Sequence, residues 1–367
     1  MARPVWTARL SSDGLGGLAA AKGVVIAGCR DVTDSRDVFY CLDAATGQVR
    51  WQFQYAAAAS FDYGNSPRAT PVIGDGHVWT MGAAGHVHCL DLATGAIVWQ
   101  KNVAHEFKTP RLEWGLTGSP LLIDGKLIVQ PGGFEACLVA LEASTGDLVW
   151  KTGPGLPGHS SFITARVGSS TQIVGYDEAS LGGWNLETGE RLWGIVPRVK
   201  GDFNVPTPLH LGDLLVAATE NNGTRTYRFD ATGIPAPTPT GQSKNLTPDS
   251  SSPVAIGNRV FGLTDGLFCL DASSALKQHW LLEHDALIGY GALIACPAQG
   301  RVLVLTLTGR LLLVQDEQDH GRVVSDLPLA GPDGETHSHP AIVGGTLYFR
   351  IADQLSALNL LPTAADQ

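Results

Sequence analysis

One eleven-residue pattern recurs four times without a gap, and few folds tolerate such a repeat. The copies are Cys41-Leu-Asp43-Ala-Ala-Thr46-Gly47-Gln-Val-Arg-Trp51, Cys89-Leu-Asp91-Leu-Ala-Thr94-Gly95-Ala-Ile-Val-Trp99, Ala140-Leu-Glu142-Ala-Ser-Thr145-Gly146-Asp-Leu-Val-Trp150 and Gly183-Trp-Asn185-Leu-Glu-Thr188-Gly189-Glu-Arg-Leu-Trp193. Each reads as a short apolar strand, a turn opened by an acid or amide, and a second strand ending in Trp. The opening side chain accepts hydrogen bonds from the turn backbone. The Gly four residues later supplies the positive φ that closes a hairpin.

Weaker copies continue the series. Phe229-Asp230-Ala-Thr232-Gly233 keeps the turn and loses the Trp, Cys269-Leu-Asp271 reaches Trp280 with one extra residue, and the stretches ending at Gln315 and Asn359 keep only the strand. The turn-opening positions lie about 45 residues apart on average, the length of one four-stranded propeller blade. Eight blades result. Upstream of most turns a Ser/Thr-Pro or His-Pro pair precedes apolar residues and a Gly/Asp turn, as at Thr70-Pro71, Ser119-Pro120, Thr207-Pro208, Ser252-Pro253 and His339-Pro340. Pro is tolerated at the first residue of a strand, so these pairs mark an innermost strand A, followed by B, C, the turn and D. After Asn359 no Trp-bearing strand follows, whereas Pro4-Val-Trp6-Thr-Ala-Arg9 is unassigned. The N-terminal strand is therefore expected to complete the last blade, leaving no exposed edge at the seam. Composition agrees with this all-β reading: 44 Gly, 21 Pro and only 16% charged residues, with 44% hydrophobic residues to fill a core. The expected architecture is one eight-bladed β-propeller domain over residues 1–367.

The turn pattern resembles the tryptophan-docking motif of the pyrroloquinoline-quinone-like propellers, Ala-x-Asp-x-x-Thr-Gly-x-x-x-Trp. Cys41, Cys89 and Gly183 stand in the Ala slot, and Glu142 and Asn185 in the Asp slot. The resemblance implies that Trp6, Trp51, Trp99, Trp150, Trp193 and Trp280 pack between neighbouring blades. Its quinone-dependent dehydrogenases are longer and carry adjacent cysteines beside the cofactor. None of the six Cys here adjoins another, and no Ca²⁺-ligand set matches residue by residue, so neither quinone nor Ca²⁺ is expected. In length the chain resembles the short, single-propeller, BamB-like branch, which acts as a docking scaffold.

A net charge of −10 disfavours nucleic acid as a partner. No run of about 18 apolar residues is present to span a membrane. The first residues lack the apolar segment of a secretory signal. Together with cysteines free of metal-type spacing, this suggests a cytoplasmic protein with free thiols. A periplasmic or secreted location is the alternative if a leader was removed.

The long D-to-A connections and the B-to-C loops should share one face. On it lie Asp62, Tyr63, Asn65, Glu113, Trp114, His159, Asp202, Asn204, Tyr290, His337 and His339, a set of acids, imidazoles and aromatics around a central funnel. His337-Ser-His339 places two imidazoles on one side of an extended segment, but without an assignable third ligand no metal is expected. Residues 235–252 read as a Pro/Ser/Thr-rich mobile connection. Neither a phosphate-binding Gly loop nor a G-x-S-x-G elbow occurs. The first functional expectation is a non-catalytic, monomeric scaffold that presents this face to another protein, with an apolar patch among Phe61, Tyr63, Phe107 and Trp114. The alternative is a small-molecule binder or a lyase, hydrolase or isomerase using Asp62, Glu113, Asp202, His159 or His337 as acid or base. A quinone-dependent dehydrogenase is the third.

Overall fold

The turn at Asp43 shows how the repeat folds. Asp43 Oδ1 accepts the N–H groups of Ala45 and Thr46 at 3.0 and 2.9 Å and the Thr46 hydroxyl at 2.9 Å. Gly47 follows at φ +71°. The returning strand then pairs Trp51 with Cys41, next to a β-bulge between Cys41 and Leu42. Asp91 and Asn185 open their turns in the same way.

The computed structural model describes residues 3–58, 60–168, 170–331 and 334–360. They form eight four-stranded sheets, each with its strands side by side in the order A, B, C, D. These are the blades of a β-propeller. Seven run consecutively, at residues 19–56, 72–102, 121–151, 163–195, 209–243, 254–282 and 291–328. The eighth takes strands A to C from residues 341–359 and strand D from Trp6–Arg9, where Trp6 pairs with Ala357 and Arg9 with Gln354. The N-terminal strand thus completes the last blade. Among the described residues helix is confined to Val103–Glu106 and two short 3₁₀ turns.

Burial follows strand position. In the first blade Val24–Arg30 is buried along its whole length and Arg36–Asp43 nearly so, whereas Val49–Ala56 buries only Trp51. Middle strands covered on both faces read as continuous apolar runs, and the outermost strand needs only its inward residue to be apolar.

The chain groups into two compact units. Unit 1 comprises residues 1–135, 140–149 and 329–367, and unit 2 residues 136–139 and 150–328. Within unit 1 the inner strands Ala341–Val343, Ala19–Ala21, Val72–Gly74 and Leu121–Ile123 are successive neighbours. Trp6, Trp51 and Trp99 each donate from Nε1 to a carbonyl in the following turn: Ala44 at 3.0 Å, Leu92 at 2.9 Å and Ala143 at 2.8 Å. The indole lies on the turn glycine. A Cβ at Gly146 would stand 2.7 Å from Trp99, and its φ of +77° already favours Gly, so two independent constraints fix this residue.

In unit 2, Trp150 repeats the arrangement, donating to Leu186 O at 2.9 Å. Trp193 departs from it. Its Nε1 donates to Gln172 Oε1 at 2.7 Å, and Gln172 Nε2 donates to Gly233 O at 2.7 Å, so the amide relays the contact to the next turn. Trp280 donates to the carboxylate of Asp316 at 3.0 Å. Residues 235–252 are more ordered than their composition suggests. Gly241–Ser243 forms strand D of its blade, pairing with Thr224–Thr226, because a backbone ladder needs no Trp to form.

Cys41, Cys89 and Cys269 are fully buried in the small-residue slot. Burial pushes their thiols up to about 11, 11 and 12, so they pack as small hydrophobes rather than react.

Candidate functional site: a loop-lined cavity in unit 1

A hollow of ≈ 750 Å³ in unit 1 is walled by three D-to-A connections and by the B-to-C loops of the first and eighth blades. Of the residues singled out from sequence, Tyr63, Asn65 and His337 line it. Its wall is held by a hydrogen-bonded chain that sequence reasoning missed. Tyr55 Oη donates to Asp37 Oδ2 at 2.7 Å, and Arg30 donates to Asp37 Oδ1 at 2.6 Å and to Asp34 Oδ1 at 2.8 Å. Asn65 Nδ2 completes the chain to Asp34 Oδ2 at 2.6 Å. Buried Asp37 has its pKa raised by desolvation, opposed by the Tyr55 and Arg30 hydrogen bonds. The available signal was Arg30 at the end of an otherwise apolar strand, since a buried guanidinium demands partners.

Gly82, in the second blade, abuts this chain: a Cβ there would overlap Asp37 Oδ2 and Tyr55 Oη. Gly82→Ala is expected to cost about 1–3 kcal/mol through overpacking, read as a lower urea midpoint. An unchanged midpoint would show that the chain yields freely.

The loop carrying Tyr63 is braced from below. Arg68 donates to the carbonyls of Asp62 and Gly64 at 2.5 and 2.9 Å and lies 5.6 Å from the Phe61 ring centroid. Asp62 donates its backbone N–H to Glu113 O at 3.0 Å, and both residues line a separate hollow of ≈ 480 Å³ with Arg111. Trp114 is half-buried. Phe107, expected in an exposed apolar patch, is only 3% exposed, because the helical turn Val103–Glu106 folds it inward. Tyr63 is 75% exposed, and Val32 and Phe134, on B-to-C loops, are 85% and 68% exposed.

The two imidazoles of the His337-Ser-His339 segment part company. His337 lines the cavity, whereas His339 Nδ1 lies 3.2 Å from Pro340 O. Between them, Ser338 is buried and donates to Gly16 O at 2.5 Å. Among the described residues no group of three or more His, Cys, Asp or Glu side chains is placed to hold a metal ion.

In unit 2 the remaining predicted residues lie on the connections before the fourth, fifth and seventh blades. Asp202 and Asn204 are buried and hold backbone. Asp202 accepts Asn221 N–H at 2.9 Å and Asn222 Nδ2 at 2.6 Å, while Asn204 donates to the carbonyls of Asp177 and Glu178 at 3.1 and 3.2 Å. The His159 N–H donates to Asn204 O at 3.2 Å, and Tyr290 O accepts Leu307 N–H at 3.0 Å. Beside Asp202 lies Glu220, whose carboxyl is pushed up by burial and further by Asp202 and Asp249. Its Oε2 and the Nε of buried Arg225 have no hydrogen-bond partner among the described residues.

Blades joined by an Asx-opened turn and an indole docked on the next turn's glycine define a tryptophan-docked β-propeller. Residues 34–275 match the family described as outer membrane protein assembly factor BamB, about two thirds of the chain, and the chain belongs to that family. No curated protein matches the sequence at a significant level. Solved structures share the fold at low identity. BamB from Moraxella catarrhalis is 17% identical, with a TM-score of 0.66 over 98% of this chain and 100% of its own. The computationally designed Ika8 protein is 12% identical, with a TM-score of 0.66 over 96% and 98%. A quinohemoprotein alcohol dehydrogenase from Pseudomonas putida HK5 is 14% identical, with a TM-score of 0.64 over 100% of this chain and 77% of its own.

Proposed function

We propose that the protein is a non-catalytic scaffold that docks another protein through the D-to-A and B-to-C loops of unit 1. The observation carrying this reading is the exposure of Val32, Tyr63 and Phe134 on those loops, the Tyr63 loop being braced by Arg68. Large apolar side chains held in water by rigid loops gain free energy only when a partner covers them. The family description, an outer membrane protein assembly factor, supports a protein partner. Affinity capture from the protein's own host tests this. The doubly substituted Tyr63→Ser/Phe134→Ser protein should lose the captured partner while its melting curve is unchanged; equal capture by both forms overturns the reading.

A small-molecule binder is the second reading, favoured by the ≈ 750 Å³ cavity. We propose that no quinone or Ca²⁺ is bound, so adding both should leave the absorbance spectrum the sum of the parts. We also propose a monomer. For location, six cysteines free of disulfides support the cytoplasm, and likeness to BamB supports the periplasmic alternative. No helix among the described residues is long and apolar enough to cross a membrane. Fractionation of the host separates the two locations.

A further inference from the structure

We propose that the unit 1 cavity takes a small zwitterion with an apolar body, its carboxylate drawn to the wall backed by Arg350 and its ammonium to Asp13 and Glu335. The argument is one of unmatched charge. Arg350 lies in strand Thr346–Ile351 of the eighth blade and is 1% exposed. Its guanidinium donates to three neutral acceptors: Ala352 O at 3.0 Å, Gly28 O at 2.7 Å and Ser12 O at 2.7 Å. No carboxylate forms an ion pair with it among the described residues. Asp13 acts on it only from a distance, as does Asp353, which is paired with Arg9 at 2.7 Å. A buried cation without a counter-ion is costly to fold around, and an anion placed beside it recovers part of that cost.

This charge stands at the cavity wall. Ser12, Gly14 and Arg350 all line the hollow, and Gly14 packs so close to Nη1 that a Cβ there would overlap it. The other cavity charges have partners. Arg30 is paired with Asp37 and Asp34. Asp31 is taken up by the Thr33 hydroxyl and by the N–H groups of Ser35 and Arg36. Asp13 and Glu335 remain, both exposed at the cavity. The hollow therefore presents a cation without an ion-pair partner behind its wall and two solvent-facing carboxylates, with Leu15, Val32 and Tyr63 adding apolar surface to the lining. A simple anion would be repelled by Asp13 and Glu335, and a simple cation by Arg350. A molecule bearing both charges satisfies both signs together, as an apolar amino acid or short peptide with free termini does.

Protein docking through the same loops neither requires nor excludes this site. Titration calorimetry with leucylleucine, its N-acetyl derivative and its C-terminal amide tests it on the full chain. The free dipeptide should bind, and each blocked form should bind about tenfold more weakly or worse, as loss of one charge-assisted contact implies. Equal affinity for all three, or no heat from leucylleucine at millimolar concentration, overturns the proposal. Arg350→Met can fail to fold, so the decisive variant is Asp13→Asn/Glu335→Gln at the exposed end. Its affinity for leucylleucine should be about tenfold lower, and its affinity for the N-acetyl form unaltered. An equal loss for both ligands would show that these carboxylates do not meet the ammonium.

Discussion

Trp99→Ala is expected to remove about 3–5 kcal/mol of stability, the range for truncating a buried aromatic side chain. The indole is buried, stacks on Gly146 and donates to Ala143 O at 2.8 Å. Trp79 donates to the same carbonyl at 2.9 Å, so Ala143 O stays satisfied in the variant. The loss therefore reports the cavity left on the turn, not an orphaned acceptor. Gly146 and its turn cannot collapse into the gap, because the returning strand is tied to Glu142: Gly146 N–H donates to Glu142 O, and Glu142 N–H donates to Asp147 O, both at 2.8 Å. Urea unfolding of the two proteins measures the difference, and an unchanged midpoint would contradict the role of the indole as a blade-to-blade contact.

Acidification is expected to destabilise the protein through His88. The imidazole is buried against Tyr55, with ring centroids 4.3 Å apart, and against Phe53 at 4.8 Å. Burial, reinforced by the charge of His86, lowers its pKa from 6.5 to about 4. A folded pKa below the unfolded one means that the unfolded chain binds the proton first. The stability is thus fully present above pH 6.5 and falls as pH drops toward 4, by about 3 kcal/mol. Asp43, held at about 2 by Arg50 and Thr46, and Asp271, held at about 2 chiefly by Ser273, withdraw stability only once the unfolded chain's carboxylates take up protons near pH 4 and below, so the slope between pH 7 and 5.5 is free of them. Urea midpoints at pH 7, 5.5 and 4 measure the slope. His86, His210 and His339 are lowered by burial too, so His88→Gln should reduce the slope without abolishing it, and a wild-type slope in that variant would assign the acid sensitivity to the others.

The fold was legible because its information is local. Asp43, Thr46, Gly47 and Trp51 lie within nine residues, and each acts through its neighbours or the adjoining turn, so counting repeats also placed Trp6–Arg9 in the last blade. Two local signals misled. The Pro/Ser/Thr composition of residues 235–252 concealed the strand Gly241–Ser243, whose pairing depends on the backbone of Thr224–Thr226. Phe107 looked like loop surface, although the short helical turn before it buries the ring.

The site was legible only in part, because charge matching depends on residues far apart in the chain. Tyr63, Asn65 and His337 were found from loop position, yet the groups that give the cavity its character were missed. Arg30 finds Asp37 within its own hairpin, and Asp34 finds Asn65 across 31 residues. Arg350 reaches Gly28 and Ser12 across 322 and 338 residues. By itself the sequence determined the blade, its turn, the number of copies and the strand that closes the last one, because hydrogen bonds within a turn and the alternation of a strand are set by adjacent residues. Only the tertiary structure decided which charges are paired and which is left without a counter-ion, because burial removes water's screening and lets distant residues settle the balance.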